Sequence, residues 1–281
     1  MTMDRTETTA PRPPADSAPL LEIAGLSVDF RLETSTVHAV RDVSLQVHAG
    51  ETLAVVGESG SGKSATALSV LGLNPSPPCV VPNGRIMFGG QDLLTLTEKE
   101  LGRIRGREIA MVFQDPMTSL DPLQRVGAQV AEVLRHHTGA SRAEARQAAL
   151  AALDEVGIPE PELRYRQYPH ELSGGLRQRV MIATALVARP RILIADEPTT
   201  ALDVTVQRQI LDLLVELQRK HDMAVVLITH DLAVVAESAD RVVVMHQGRV
   251  VESGDVLDVF DHPADDYTRR LLAATPRLEA A

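Results

Sequence analysis

The stretch that most constrains the fold is "GESGSGKS", Gly57 to Ser64, which ends the apolar run "TLAVVG". It matches G-x-x-x-x-G-K-[ST], with a predicted strand before it and a predicted helix after it. In such a loop the backbone N–H groups surround a phosphate, the lysine reaches the β and γ oxygens, and the last hydroxyl can bind Mg²⁺. The predicted nucleotide-binding residues are therefore Gly57, Glu58, Ser59, Gly60, Ser61, Gly62, Lys63 and Ser64.

Two adjacent carboxylates end another apolar stretch, "RILIADEP". Placing the carboxylates of Asp196 and Glu197 at the end of a buried strand costs desolvation energy unless a cation binds to them. We predict that Asp196 binds Mg²⁺ together with Ser64. Glu197, next along the chain, is predicted to be the general base that polarises an attacking water.

Two more polar residues end apolar strands, His230 after "MAVVLIT" and Gln114 after "IAMVF". The carboxyl ends of parallel strands meet at one edge of a sheet, where ligands bind. His230 is predicted to hydrogen-bond the γ-phosphate. Gln114 is predicted to contact Mg²⁺ or the attacking water and to move with the helical segment that follows it.

The order of elements predicts a mostly parallel sheet covered by helices on both sides, because strand and helix patterns alternate. Residues 1–19 are rich in Thr, Pro and Ala and predict a disordered tail, and the stretch 74–84 predicts a loop. The folded domain is predicted to span residues 20–255, with a helical insertion at about 115–189 and a helical tail at 256–281.

Composition excludes some partners and locations. A formal charge of −10 and 2% aromatic residues argue against nucleic acid as a ligand. The sequence has no apolar run of the roughly 18 to 20 residues that a membrane span needs, and its first residues lack a signal peptide's apolar stretch. These features predict a protein in the cytoplasm.

A second predicted phosphate contact lies more than a hundred residues after the first, in "HELSGGLRQRV". Ser173, Gly174 and Gly175 begin a predicted helix, whose bare N–H groups and positive dipole end attract an anion. The predicted helical insertion carries this helix, so it lies on a different lobe from the loop at Gly57. The chain therefore holds two phosphate-binding patterns that we do not expect to face each other.

The ordered motifs "GESGSGKS", "MVFQDP", "LSGGLRQRV", "ILIADEPTTALD" and "LITHD" resemble the ATP-binding subunit of ABC transporters over about residues 20–255. The resemblance implies an α/β fold, with a P-loop NTPase core, an antiparallel β subdomain and an inserted helical subdomain. It implies ATP and Mg²⁺ as cofactors and ATP hydrolysis that drives transport. Two subunits would pair head to tail, so that Ser173, Gly174 and Gly175 contact the partner's ATP.

By the same resemblance, Asp203 in "TALD" would lie at the dimer seam and link the two sites. Phe30 falls near where such proteins stack an aromatic ring on adenine, and a core role for it is an equal alternative.

Three further stretches, "FQDPMTSLDP", "YPHELSGGLRQRVMIATAL" and "HPADDYTRRLLAATP", resemble the oligopeptide, dipeptide and nickel importer group. That group implies two membrane permease subunits and a second, homologous ATPase subunit, with a heterodimer favoured over a homodimer. It also implies an extracytoplasmic substrate-binding protein that acts indirectly, and a position on the cytoplasmic face of the membrane.

The segment from Gln114 to about Val133 is expected to dock on the permease, with Leu120 among the contacts. The solute remains open between a peptide, nickel, a metal chelate and another small molecule. The alternative is a soluble accessory ATPase of the carbon–phosphorus lyase type, which transports nothing.

Overall fold

The computed structural model describes residues 18–115, 119–200 and 202–274. Its strands are β1 Leu21–Arg31, β2 Thr36–Val47, β3 Thr52–Val56, β4 Cys79–Phe88, β5 Gln91–Asp92, β6 Ile109–Val112, β7 Ile192–Asp196, β8 Ala224–Thr229, β9 Arg241–His246 and β10 Arg249–Asp255. Its helices are α1 Lys63–Val70, α2 Glu98–Ile104, α3 Val126–Thr138, α4 Arg142–Glu155, α5 Pro161–Arg164, α6 Gly174–Leu186, α7 Val204–His221, α8 Leu232–Ser238, α9 Val256–Asp261 and α10 Asp266–Ala274.

The central sheet has six strands in the order β10-β9-β3-β8-β7-β6. All neighbouring pairs are parallel except the hairpin of β9 and β10. Because successive side chains of a strand point to opposite faces, Leu193 packs with α6 and α7 on one side of the sheet, while Ile192 and Ile194 pack with α1 on the other. Both faces are therefore buried, and the predicted α/β class is confirmed.

A second sheet is antiparallel, with four strands in the order β2-β1-β4-β5. The predicted loop at 74–84 is wrong in its second half, because β4 already begins at Cys79, opposite Phe30 of β1. A proline fits inside this strand because β5 pairs only with Met87 and Phe88, which leaves Pro82 on an unpaired edge. This sheet packs over α1 and contributes residues of β1 and β2 to one wall of the cleft described below.

Between β6 and β7, the described residues form only helices and short turns. Helices α3, α4 and α6 share a core that includes Val130, Ala149, Leu153 and Val180, and α6 continues this core onto the sheet. The helical pattern predicted for this stretch is thus present, and α6 connects it to the rest of the domain.

After the sheet, the chain continues into α9 and α10, which pack on α8 and β9 through Val235, Val242, Val259 and Tyr267. The predicted disordered tail lies outside the described residues except for positions 18 and 19, and so do positions 275–281 of the predicted helical tail. In the described part of the chain, no helix combines the length and the hydropathy that crossing a membrane requires.

Candidate nucleotide-binding site

The loop from Gly57 to Ser64 joins β3 to α1 and packs closely against two other backbone segments. Gly57 has φ +149° and a Cβ there would lie 2.1 Å from the Met245 carbonyl oxygen. Gly62 has φ +101° and a Cβ there would lie 2.4 Å from the Ala39 carbonyl oxygen. Only glycine fits at these two positions, so the sequence of the loop determines its path.

Lys63 lies folded against this loop and is only 6% exposed. Its Nζ donates to the carbonyl oxygens of Gly57 at 2.7 Å and Glu58 at 2.9 Å. Burial lowers the pKa of Lys63, although the carboxylates of Glu197 and Asp196 act against that shift. Removing this buried cation from water is unfavourable, and an anion in the loop would offset that desolvation.

The N-terminus of α1 is open to a ligand. Its N-cap is Gly62, which provides no side-chain cap, and the first turn has no acidic residue. Free N–H groups and the positive end of the helix dipole attract phosphate. With Lys63 beside them, these groups have the chemistry that anion binding needs.

Asp196 ends β7 and lies next to the start of α1, where Ser64 Oγ donates to Asp196 Oδ1 at 3.1 Å. Burial raises the pKa of Asp196, and the nearby Glu197 adds to the shift, while the Ser64 hydrogen bond and Lys63 oppose it. A buried carboxylate with a hydroxyl at its side is an oxygen donor pair of the kind that Mg²⁺ prefers.

The backbone of Glu197 has the left-handed φ of +45°, which is strained for a residue with a side chain. Its N–H donates to the Ile228 carbonyl at 2.9 Å, which fixes this turn against β8. Its carboxylate accepts from Gln114 Nε2 at 2.9 Å and from Thr200 Oγ1 at 3.0 Å, and Oε1 lies 3.6 Å from His230 Nδ1. The ends of β6, β7 and β8 therefore bring Gln114, Glu197 and His230 together.

These groups open on one cleft of about 930 Å³. The predicted site residues that line it are Phe30, Ser59, Gly60, Ser61, Gly62, Lys63, Ser64, Gln114, Glu197 and His230. Phe30 thus lies on the wall of the cleft.

Sequence reasoning missed Thr200 and three polar lining residues, His38, Arg41 and Gln247. A signal existed for Thr200, a hydroxyl three residues after the predicted base. The others come from β2 and from the turn after β9, and nothing local in the sequence predicts which loops reach the cleft.

None of the described residues that line the cleft belongs to α6 or α7. Ser173 caps α6, with Oγ accepting from Leu176 N–H at 3.4 Å, and Asp203 caps α7 by accepting from Val206 N–H at 3.0 Å. The two helix starts are neighbours, since a Cβ on Gly175 would lie 2.8 Å from Val206 Cγ1. The predicted helix start at Ser173, Gly174 and Gly175 is thus present, but it does not line the chain's own cleft.

The expected contact at Leu120 is corrected by the structure. Leu120 is 4% exposed and packs in the core of the helical region, so it is not available to a partner. Leu123, three residues later, is 85% exposed. Positions 116–118 of the same segment lie outside the described residues.

Comparison with known proteins agrees with the motifs. The ABC transporter family model matches residues 40–200. The oligopeptide transport ATP-binding protein OppD of Bacillus subtilis (strain 168) is 53% identical, over 93% of this chain and 73% of its own length. The dipeptide transport ATP-binding protein DppD of the same strain is 52% identical, over 92% of this chain and 78% of its own length.

The fold agrees as well. A dimeric, post-hydrolysis structure of the ATP-binding cassette MJ0796, bound to ADP and Pi, superposes with a TM-score of 0.75 and 30% identity, covering 84% of this chain and 98% of that one. Domain, identity and fold confirm the resemblance seen in the motifs. This chain belongs to the ABC transporter family, among its ATP-binding proteins.

Proposed function

We propose that this chain is the ATP-hydrolysing subunit of an ABC importer for peptides or a related small solute. The observation that carries the proposal is that the open start of α1, Lys63 and Glu197 line the same cleft. The relatives named as oligopeptide and dipeptide transport proteins support the class of solute.

In the proposed complex, the phosphates of ATP occupy the loop from Gly57 to Ser64, with Lys63 on the β and γ oxygens. Phe30, on the wall of the same cleft, stacks on adenine. Lys63 exchanges its hydrogen bonds to the loop carbonyls for hydrogen bonds to phosphate oxygens. Its buried ammonium group thereby gains an anionic partner.

The residues present fit Mg²⁺. Ser64 Oγ and Asp196 Oδ1 are already side by side, and Gln114, which lines the same cleft as Ser64, offers an amide oxygen as a third hard donor. When bound, Mg²⁺ would neutralise charge on the β- and γ-phosphates. Asp196 gains from such a cation because its carboxylate is buried.

For hydrolysis, Glu197 accepts a proton from the water that attacks the γ-phosphorus, and the bond to the bridging oxygen of ADP breaks. Gln114 and Thr200 hold the carboxylate in place through their hydrogen bonds to it. His230, beside the other carboxylate oxygen, donates to the γ-phosphate. ADP and inorganic phosphate are the products.

The separate second pattern supports an arrangement in which each site needs two chains. Ser173, Gly174 and Gly175 would contact the ATP of a homologous subunit, with a heterodimer favoured, and Asp203 would lie at the seam between the two chains. Two membrane permeases would receive the pair on the cytoplasmic face of the membrane, and an extracytoplasmic binding protein would deliver the solute. Nucleic acid has no part in this function.

The proposal predicts that transport and hydrolysis can be separated at the docking segment. Leu123→Glu places a charge on an 85% exposed side chain without touching the cleft. In the assembled transporter we expect this variant to keep ATPase activity within about twofold and to lose peptide uptake into vesicles. The matched control is Leu257→Glu, on α9, whose residue is 63% exposed.

Uptake should survive in the Leu257 control. Normal uptake by the Leu123 variant would move the docking surface elsewhere, and a wild-type complex that hydrolyses ATP without taking up peptide would refute the import function.

A further inference from the structure

The C-terminal helix α10 makes a direct contact with the phosphate-binding loop. The hydroxyl of Tyr267 accepts a hydrogen bond from the Glu58 backbone N–H at 3.1 Å, across more than two hundred residues of sequence. Glu58 is the second residue of the loop, and none of the roles assigned above uses Tyr267.

Tyr267 is itself held firmly. Its side chain is 5% exposed and its ring stacks on His246, with ring centroids 3.9 Å apart. The start of α10 is fixed by Glu252, whose carboxylate accepts from the N–H groups of Ala264 at 2.7 Å and Asp265 at 3.1 Å. The hydroxyl is therefore placed by packing and by hydrogen bonds, and the loop is not needed to hold it.

The contact continues from Glu58 to the cation of the site. While the Glu58 N–H donates to Tyr267, its carbonyl oxygen accepts from Lys63 Nζ at 2.9 Å. Gly57, on the other side of Glu58, is pressed against the Met245 carbonyl, next to His246. The first half of the loop is thus held between Lys63, the end of β9 and Tyr267.

Tyr267 is not among the residues that line the cleft, so within the described chain it reaches a nucleotide only through Glu58. A loop already fixed in its binding conformation loses less conformational entropy when a phosphate enters. We propose that Tyr267 is a positioning residue that holds the phosphate-binding loop ready for nucleotide. This inference rests on the proposed nucleotide-binding function of the loop.

The test uses the full chain and the variant Tyr267→Phe, which keeps the ring that stacks on His246 and removes only the hydroxyl that accepts from the Glu58 N–H. We expect the amide hydrogen of Glu58 to exchange faster with solvent. We also expect the Kd for ADP with Mg²⁺, measured by calorimetry, to rise about two- to tenfold, the usual worth of one hydrogen bond. In the assembled ATPase the KM for ATP should rise by a similar factor, while kcat changes less than twofold.

The matched control is Thr268→Val, in the same helix. Thr268 is 1% exposed, and its hydroxyl lies near the Glu252 carboxylate without a hydrogen-bond partner among the described residues. It has no contact with the loop among the described hydrogen bonds. This variant replaces a buried, unpaired hydroxyl in α10 by a methyl group of similar shape, and it should leave both the exchange of Glu58 and the Kd for ADP as in wild type.

Two results would overturn the inference: unchanged Glu58 exchange and Kd in the Tyr267 variant, or equal changes in the Thr268 control, which would indicate general loosening of α10. Exchange at Glu58 needs no ATPase activity. A chain that fails to bind nucleotide would therefore refute the proposed function, while the exchange rates would still decide whether Tyr267 holds the loop.

Discussion

Two helix starts in this molecule have similar sequences and different surroundings. The start of α1, after "GESGSGK", has a glycine N-cap without a side-chain cap and faces the cleft. The start of α6, within "LSGG", is capped by Ser173 and lies beside the start of α7. A glycine-rich helix start therefore becomes a binding site only where the tertiary structure brings other groups to it.

The groups that complete the first site come from strand ends. Parallel strands deliver Gln114, Asp196, Glu197 and His230 to the edge of the sheet where α1 begins. Among the described residues, the side chains nearest to a Cβ at Gly174 or Gly175 are those of Leu202 and Val206, which are apolar. Under the proposed function, the start of α6 is one half of a site whose other half comes from the partner chain.

The largest effect is expected from damage to the complete site. Glu197→Gln keeps the size and hydrogen-bonding shape of the side chain but cannot accept the proton. Turnover of ATP should fall by about two to four orders of magnitude, the usual worth of a positioned base, while ATP binding is kept. Steady-state hydrolysis together with equilibrium ATP binding checks both statements.

The control for this variant is Thr200→Ala, which removes one of the two hydrogen bonds that hold the Glu197 carboxylate. A loss of about two- to tenfold is expected, in line with one hydrogen bond. Hydrolysis at the wild-type rate by the Glu197 variant would remove this residue from the role of base.

The second-largest expected effect tests whether the start of α6 contacts the ATP bound by a partner chain. Lys63→Ala damages the site on this chain's own loop, and Gly175→Asp should damage the site on the partner's loop by adding a negative charge against its γ-phosphate. Both changes in one chain should abolish nearly all hydrolysis. Lys63→Ala with the equivalent Gly-to-Asp change in the partner chain damages one site twice, so substantial hydrolysis should remain wherever the partner's own site is competent.

The structure identifies a control for the paired test. Any side chain at Gly175 lies close to Val206, so a local steric defect could imitate the loss of a phosphate contact. Val206→Ala makes room for the new side chain. If adding Val206→Ala restores activity to the Gly175 variant, or if the two pairings leave equal activity while the partner's site is competent, the "LSGG" motif does not reach a neighbour's ATP.

The fold could be predicted where local pattern and long-range packing agree. The buried strands β3, β7 and β8 are continuous apolar runs, and α7 has a regular apolar face that includes Ile210 and Leu217. The prediction failed at Cys79, because a stretch with prolines on both sides is a strand only through its pairing with β1. The sequence does not show that partner.

Some residues of the candidate site could also be predicted from the sequence and others could not. Residues that follow a strand, such as Glu197 and His230, could be predicted because the parallel sheet determines where strand ends lie. His38 and Arg41, which line the cleft, and Tyr267, which contacts its loop, could not be predicted. They belong to the second sheet and to α10, whose packing depends on the whole fold. Leu120 shows the same limit, since its pattern is equally consistent with a surface contact and with the core position that it occupies.

The smallest expected effect is on the melting temperature, and it tests whether the Asp196 carboxylate is present for binding or for the stability of the fold. Burial raises the pKa of Asp196 above its unfolded value, outweighing the opposite effects of the Ser64 hydrogen bond and of Lys63. The native state therefore binds this proton more tightly than the unfolded state does. Its contribution to stability is full below the unfolded pKa of about 3.9 and is lost as the pH rises through the folded pKa.

Asp196→Asn removes this charge and keeps an oxygen that can accept from Ser64. Without nucleotide, the variant should melt about 2–4 °C above wild type at neutral pH, corresponding to about 1 kcal/mol, and the difference should shrink as the pH falls toward 4. Adding ATP with Mg²⁺ should reverse the order, because only the wild type offers the buried carboxylate to the cation. Calorimetric scans from pH 4 to 8, with and without MgATP, measure both effects. Two results would contradict this expectation: a variant that melts below wild type at neutral pH, or a difference in melting temperature that does not depend on pH. Either would mean that the Asp196 carboxylate does not destabilise the nucleotide-free fold.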